Sequence, residues 1–205
     1  MAATLVLLRH GQSEWNKQNL FTGWVDVHLS DEGKIEAAKA SEALKNFRFD
    51  TVFTSALIRA VETAEIVVGK EALEKIRVVA AELNERRYGE LEGKNKDEMR
   101  KIYGPDQVAL WRRSFAIAPP GGESLAETCT RVVSYFEREI KPRLKAGQTI
   151  LICAHGNSLR ALVKHLEQIS DEDICQLEIP TAVPMVFYLD DELNLVKKQV
   201  IKIHR

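Results

Sequence analysis

Two apolar runs in this chain each deliver a His-Gly pair. "TLVLL" (residues 4–8) leads through Arg9 into His10-Gly11, and "TILICA" (149–154) leads into His155-Gly156. A continuous apolar run of this length suits a β-strand covered on both faces, as in the middle of a parallel sheet. In open α/β sheets, ligands sit beyond the carboxyl ends of such strands. If the two strands are neighbours, their spacing brings the histidines to roughly 5 Å at backbone level. The glycines permit tight turns and close ligand approach, and each turn offers backbone N–H groups to an anion.

The rest of the chain alternates strand and helix patterns. Ser30 followed by Asp31 and Glu32 starts a helix running to about Asn46. "DTVFTS" is a short strand, after which Ser55 is placed to cap a helix that Gly69 stops. "IRVVAAEL" reads as a third strand, and residues 84–95 as a polar loop. Asn95 with Glu98 resembles a capping box; Gly104-Pro105 ends that helix and opens another through Trp111. "APPGGE" is a hinge-like turn. Ser124 and Glu127 form a second capping box, before a helix with Leu125, Cys129, Val132, Phe136 and Ile140 on one face. Pro142 should kink or end it. A helix over 158–167 follows the second His-Gly turn, and "MVFYL", "DDELN" and "VKKQVIKI" make a terminal hairpin. The expected fold is α/β: a three-layer sandwich with a mainly parallel sheet flanked by helices, formed by residues 1–205 as one domain.

A net charge of −1 gives no overall reason to bind nucleic acid or a membrane, so an anion site must be built locally. Cys129, Cys153 and Cys175 lie in apolar patterns without metal or disulfide spacing. There is no basic leader and no apolar run near ~20 residues. The cytoplasm is the expected compartment.

A lone histidine at a strand end is commonly a packing residue; two matching turns, one preceded by arginine, favour a site. His28, His165 and His204 have no such setting and read as surface or packing residues. His10, His155 and Glu85 could hold zinc. The Arg- and Lys-rich loops disfavour a divalent metal and favour an anionic ligand, and no metal is expected. Arg112-Arg113 fits helix-end charge as well as a binding role.

The stretches "RHGQSEWN", "FTGWVDVHLS", "TSALIRAVETA", "LNERRYGELEGKNK", "WRRSF", "AHGNSLRALVKHLE" and "IPTAVP" together resemble the cofactor-dependent phosphoglycerate mutases of the histidine phosphatase superfamily. The resemblance implies the phosphoglycerate mutase-like fold. It implies interconversion of 3- and 2-phosphoglycerate in glycolysis and gluconeogenesis, with 2,3-bisphosphoglycerate as phosphoryl primer. By it, His10 is the phosphorylated nucleophile, and Arg9, Arg59 and His155 surround the phosphoryl group with support from Asn16. Glu85 is the general acid and base. Thr22, Gly23, Tyr88, Lys96, Arg112, Arg113, Gly156 and Asn157 hold the rest of a small phosphorylated three-carbon acid. A homo-oligomer is also compatible with it.

This chain departs from the family pattern in a short segment, "SFAIAPPGG", between the arginine pair and Glu123, and in ending soon after the hairpin. Arg87 and Ala182 stand where His and Gly are commoner. These departures touch how the site closes and leave the expected catalytic residues intact. A phosphatase of the same superfamily, handing the phosphoryl to water, is the second reading. A phosphate-binding module without turnover is the third, although it would be expected to lack His10 or Glu85.

Overall fold

The structure, a computed structural model, describes residues 3–203, so His204 lies outside the described residues. In chain order the elements are β1 (Ala3–Arg9), α1 (Glu14–Lys17), α2 (Asp31–Leu44), β2 (Thr51–Thr54), α3 (Ile58–Val68), α4 (Lys70–Ile76) and β3 (Arg77–Val79). There follow α5 (Lys96–Tyr103), α6 (Pro105–Arg113), α7 (Leu125–Tyr135), α8 (Lys141–Lys145), β4 (Thr149–Ala154), α9 (Gly156–Glu167), α10 (Asp171–Ile174), β5 (Met185–Leu189) and β6 (Leu195–Val200).

The sheet order is β3-β2-β4-β1-β5-β6. β3, β2, β4 and β1 run parallel, and β5 and β6 join as the antiparallel hairpin. The alternation of β1 shows why its run is apolar throughout. Leu5 and Leu7 pack with Val132, Ile140 and Leu162 in one buried cluster; Val6 and Leu8 pack with Ala40, Ala64 and Leu73 in another. Helices therefore cover both faces, and each buried aliphatic side chain contributes about 1.5–3 kcal/mol. A third, smaller cluster of Phe21, Leu91, Met99, Val108 and Trp111 holds α5 and α6 beside the sheet's carboxyl edge.

Several local expectations change. Ser55 does not cap α3: Leu57 is the N-cap, and Ser55 Oγ accepts from Leu57 N at 3.2 Å. Lys70–Ile76, rich in strong helix formers, is helical, so "IRVVAAEL" contributes only the short edge strand β3 and a 3₁₀ turn at Ala81–Leu83. Asn95 caps α5 through Asp97 N and Glu98 N, without the reciprocal Glu98 contact that would complete the box. The Ser124–Glu127 box is complete. A π-turn over Phe136–Ile140 precedes Pro142. Proline lacks an N–H and clashes with the carbonyl four residues back; the wider turn accommodates this while keeping Phe136, Ile140 and Leu144 buried. Ala182, the departure from glycine, adopts φ +52°. A left-handed alanine costs about 1–2 kcal/mol, and its N–H donates to Arg9 O at 2.9 Å.

Candidate active site

The register Leu8↔Cys153, Arg9↔Ala154 brings the two strand ends level. His10 N extends the ladder to Ala154 O at 3.0 Å, and the imidazoles of His10 and His155 lie 4.9 Å apart, tilted by 60°. Both residues are buried. His10 Nδ1 meets Gly11 O at 2.6 Å, which fixes the proton on Nδ1 and leaves Nε2 as the lone-pair nitrogen. Burial, then the charges of Arg59 and Arg9, hold the His10 pKa well below its ordinary value of 6.5. His155 is shifted the same way by burial, Arg59 and His10. Its Nε2 meets Ser55 Oγ at 2.7 Å.

Gly11 serves backbone packing more than ligand approach. A Cβ there would stand 2.2 Å from Gly33 O, and Gly11 N donates to Thr63 Oγ1 at 3.1 Å. The first turn after β1 is thus pressed onto α2 and α3, which aims Arg9 and His10.

Two arginines enclose the histidines. Arg59, 1% exposed, donates to Val25 O at 3.0 Å and Gly23 O at 2.8 Å. Burial lowers its pKa to about 10, a value at which it remains charged near neutrality. Arg9 donates to Ile179 O at 2.7 Å. Their Nε atoms, with Thr22 Oγ1, are buried without a protein hydrogen bond. Gly23 is required where it stands: φ is +53°, and a Cβ would meet Glu92 Oε1 at 2.0 Å.

Glu85 reaches the site from the loop after β3. Its Oε1 accepts from Arg86 N at 2.8 Å and from Asn157 N at 3.0 Å, at the N-terminal turn of α9. Oε2 faces Gly156, 3.7 Å from where a Cβ would stand. The Glu85 carbonyl is held from behind by Arg131, itself paired with Glu123.

A pocket of ≈ 130 Å³ joins these groups to a distal cluster. It is lined by every site residue expected from the sequence except His155, which lies against His10 at its inner wall. Asn16, from α1, binds Ser13 N through Oδ1 at 3.2 Å. Tyr88 OH accepts from Arg86 Nη2 at 3.0 Å. Burial raises the Tyr88 pKa, but the Arg86 charge and the hydrogen bonds from Arg86 and Asn157 leave it lowered overall. Lys96 starts α5; Arg112 and Arg113 end α6, so the helix-end location and the pocket location coincide. Burial and then Arg112 lower the Lys96 pKa, and burial lowers that of Arg112.

Sequence reasoning passed over Ser55, Arg86, Arg160 and Glu178. Arg160 was legible in part: it lies three residues after Asn157 on α9, hence on the same face, and donates to Asn157 Oδ1 at 3.0 Å. Six cationic side chains, Arg160 included, face two carboxylates, Glu85 and Glu178. The surplus is suited to a ligand with several negative charges. Among the described residues, no group of three His, Cys, Asp or Glu side chains is arranged to hold a metal ion.

The family model of the histidine phosphatase superfamily (branch 1) matches residues 5–200. A 2,3-bisphosphoglycerate-dependent phosphoglycerate mutase of Parvibaculum lavamentivorans is 50% identical over 98% of this chain and 97% of its own length. The phosphoglycerate mutase of Schizosaccharomyces pombe is 50% identical over 96% of this chain and 95% of its own. Among solved structures, Bacillus stearothermophilus YhfR matches with a TM-score of 0.81 at 27% identity over 94% of each chain. An alpha-ribazole phosphatase from Shigella flexneri, 22% identical, shares the fold with a TM-score of 0.80 over 98% of this chain and 100% of its own. With this pocket and these relatives, the chain belongs to the histidine phosphatase superfamily, and within it to the phosphoglycerate mutases.

Proposed function

We propose that this enzyme interconverts 3-phosphoglycerate and 2-phosphoglycerate, in glycolysis and gluconeogenesis, through a phosphohistidine at His10. The observation that carries the reading is the His10 ring: neutral, pinned at Nδ1 by Gly11 O and buried beside two guanidinium groups. Phosphoryl transfer places charge on equatorial oxygens, so catalysis rests on an in-line nucleophile and fixed positive charge. Arg9 and Arg59 supply that charge in a planar, permanently ionised form. Their buried, unpartnered Nε atoms and Thr22 Oγ1 fit phosphate oxygens as acceptors.

When bound, 2,3-bisphosphoglycerate would supply the phosphoryl group that primes the enzyme; Arg9, Arg59, Lys96, Arg112 and Arg113 would hold it. His10 Nε2 attacks phosphorus as the oxygen–phosphorus bond breaks, and in reverse gives the phosphoryl to the substrate's other hydroxyl oxygen. Glu85 has one oxygen tied by two backbone N–H groups and Oε2 left to exchange the proton. The same carboxyl takes a proton from the attacking hydroxyl in one direction and returns it in the other. His155 is neutral in the free pocket; a phosphoryl dianion beside it favours its protonated form. Lys96, Arg112 and Arg113 hold the group that is not reacting. The proposed setting is the cytoplasm, in keeping with three free, buried cysteines. Among the described residues no helix is long and apolar enough to cross a membrane.

Water must be kept from the phosphohistidine, and hydrolysis is the competing outcome. A coupled assay with and without bisphosphoglycerate, following isomer and free phosphate together, tests the proposal. Bisphosphate-stimulated isomerisation exceeding phosphate release is expected; phosphate release outpacing isomerisation would assign a phosphatase.

A further inference from the structure

Glu178 is an acid in a pocket otherwise crowded with cations. Its backbone is held on both sides by residues of the site: Arg160 Nε donates to Leu177 O at 2.7 Å, and Arg9 Nη1 to Ile179 O at 2.7 Å. Its side chain is 67% exposed, yet it is ion-paired with Arg113 and lies 3.8 Å from Arg160, whose side chain is 11% exposed. A fixed backbone thus presents a movable carboxylate to the distal arginines. Resting on the function proposed above, we propose that Glu178 is a displaceable internal counter-anion that tunes the pocket's preference among anionic ligands. In the free site it neutralises Arg113 and Arg160. A ligand's non-reacting phosphate or carboxylate takes its place.

Displacement is easy, because an exposed ion pair contributes little. The carboxylate remains close by, however, and repels an incoming anion in proportion to that anion's charge. The penalty is greatest for the most highly charged ligand, the bisphosphate, and smaller for the monophosphates. Glu178 therefore favours release of the bisphosphate over its retention.

The test compares the native enzyme with Glu178→Gln and Glu178→Asp by calorimetric titration with pyrophosphate and with inorganic phosphate, two probes that require no mutase turnover. Glu178→Gln should tighten pyrophosphate by about three- to five-fold, the scale of an exposed charge interaction, and phosphate by less. Glu178→Asp should keep the native ratio of the two affinities. A ratio unchanged or lowered in Glu178→Gln overturns the proposal. Glu192→Gln, on the distant hairpin, should change neither affinity; a rise in the ratio there equal to that in Glu178→Gln would reduce the effect to net charge and also overturn it. The coupled mutase assay on the same samples separates the two readings. A raised ratio without isomerisation sinks the mutase reading alone, and isomerisation with an unchanged ratio sinks only the role of Glu178.

Discussion

Arg131 Nη2 donates to the backbone carbonyl of Glu85 at 2.9 Å, while Nη1 donates to the carbonyls of Glu82 and Asn84 at 2.6 and 3.0 Å. One guanidinium on α7 thus fixes the loop that carries the proposed acid and base. Glu123 orients it through two hydrogen bonds of 2.7 and 2.8 Å and also accepts from Arg87 N at 3.0 Å. Arg131→Lys keeps the charge but loses the fork. We expect kcat to fall about 10- to 100-fold, the scale set by a misplacement of ~1 Å, with KM within about two-fold. Steady-state kinetics checks this; an equal loss in kcat and affinity would indicate general disorder of the site instead.

Glu85→Gln removes the proton-exchanging oxygen while an amide oxygen can still accept from Arg86 N and Asn157 N. The expected loss in kcat is about 100- to 10,000-fold. Phosphorylation of His10 by bisphosphoglycerate and transfer from His10 to a substrate hydroxyl should slow together, because the carboxyl that takes the proton in one direction returns it in the other. Rapid-quench measurement of the two half-reactions checks this; a loss confined to one of them would contradict the assignment.

The depressed pKa values of His10 and His155 predict a pH dependence of stability. Below about pH 6.5 the unfolded chain protonates both rings while the folded chain does not. The unfolded state therefore binds more protons, and stability falls as pH drops from about 6.5 toward the folded-state values. The limiting slope is about 1.4 kcal/mol per pH unit for each ring. Urea titrations of the ligand-free protein between pH 7.5 and 5.5 check the sign. His155→Gln should flatten the curve.

Gly23→Ala should be disproportionately costly. It imposes a left-handed alanine, worth about 1–2 kcal/mol, and displaces Glu92, whose Oε1 accepts from Trp24 N at 3.2 Å and Tyr88 N at 3.0 Å. Because Gly23 O anchors Arg59, substrate KM should rise as well. Thermal denaturation and kinetics together test the coupling; a stable variant with native KM would show that the loop adapts freely.

Much of the candidate site's geometry was legible because it depends on short-range features. An apolar run followed by His-Gly places a side chain at a strand's carboxyl end, and two such runs in a parallel sheet bring those ends level. The chain order does not say that β4 lies between β2 and β1, yet that pairing makes His10 and His155 neighbours. Ser55, expected as a helix cap, is instead the partner of His155, and no local pattern reports that contact because it spans 100 residues. Glu178 escaped for a related reason. Its place in the pocket follows from the carbonyls of Leu177 and Ile179, in a segment without regular structure, and no periodic pattern reports those. Pro142 announced a break in its helix, whereas the π-turn that absorbs it depends on keeping Phe136, Ile140 and Leu144 against the sheet.

The most direct measurement is the site of phosphate on the protein itself. After brief exposure to 2,3-bisphosphoglycerate and quenching at alkaline pH, peptide mass spectrometry should find one acid-labile phosphoryl group, on His10, and none in His10→Ala. A His10→Ala protein that retains bisphosphate-primed isomerase activity, or a phosphoryl group found on another residue, would contradict the proposed role of this imidazole.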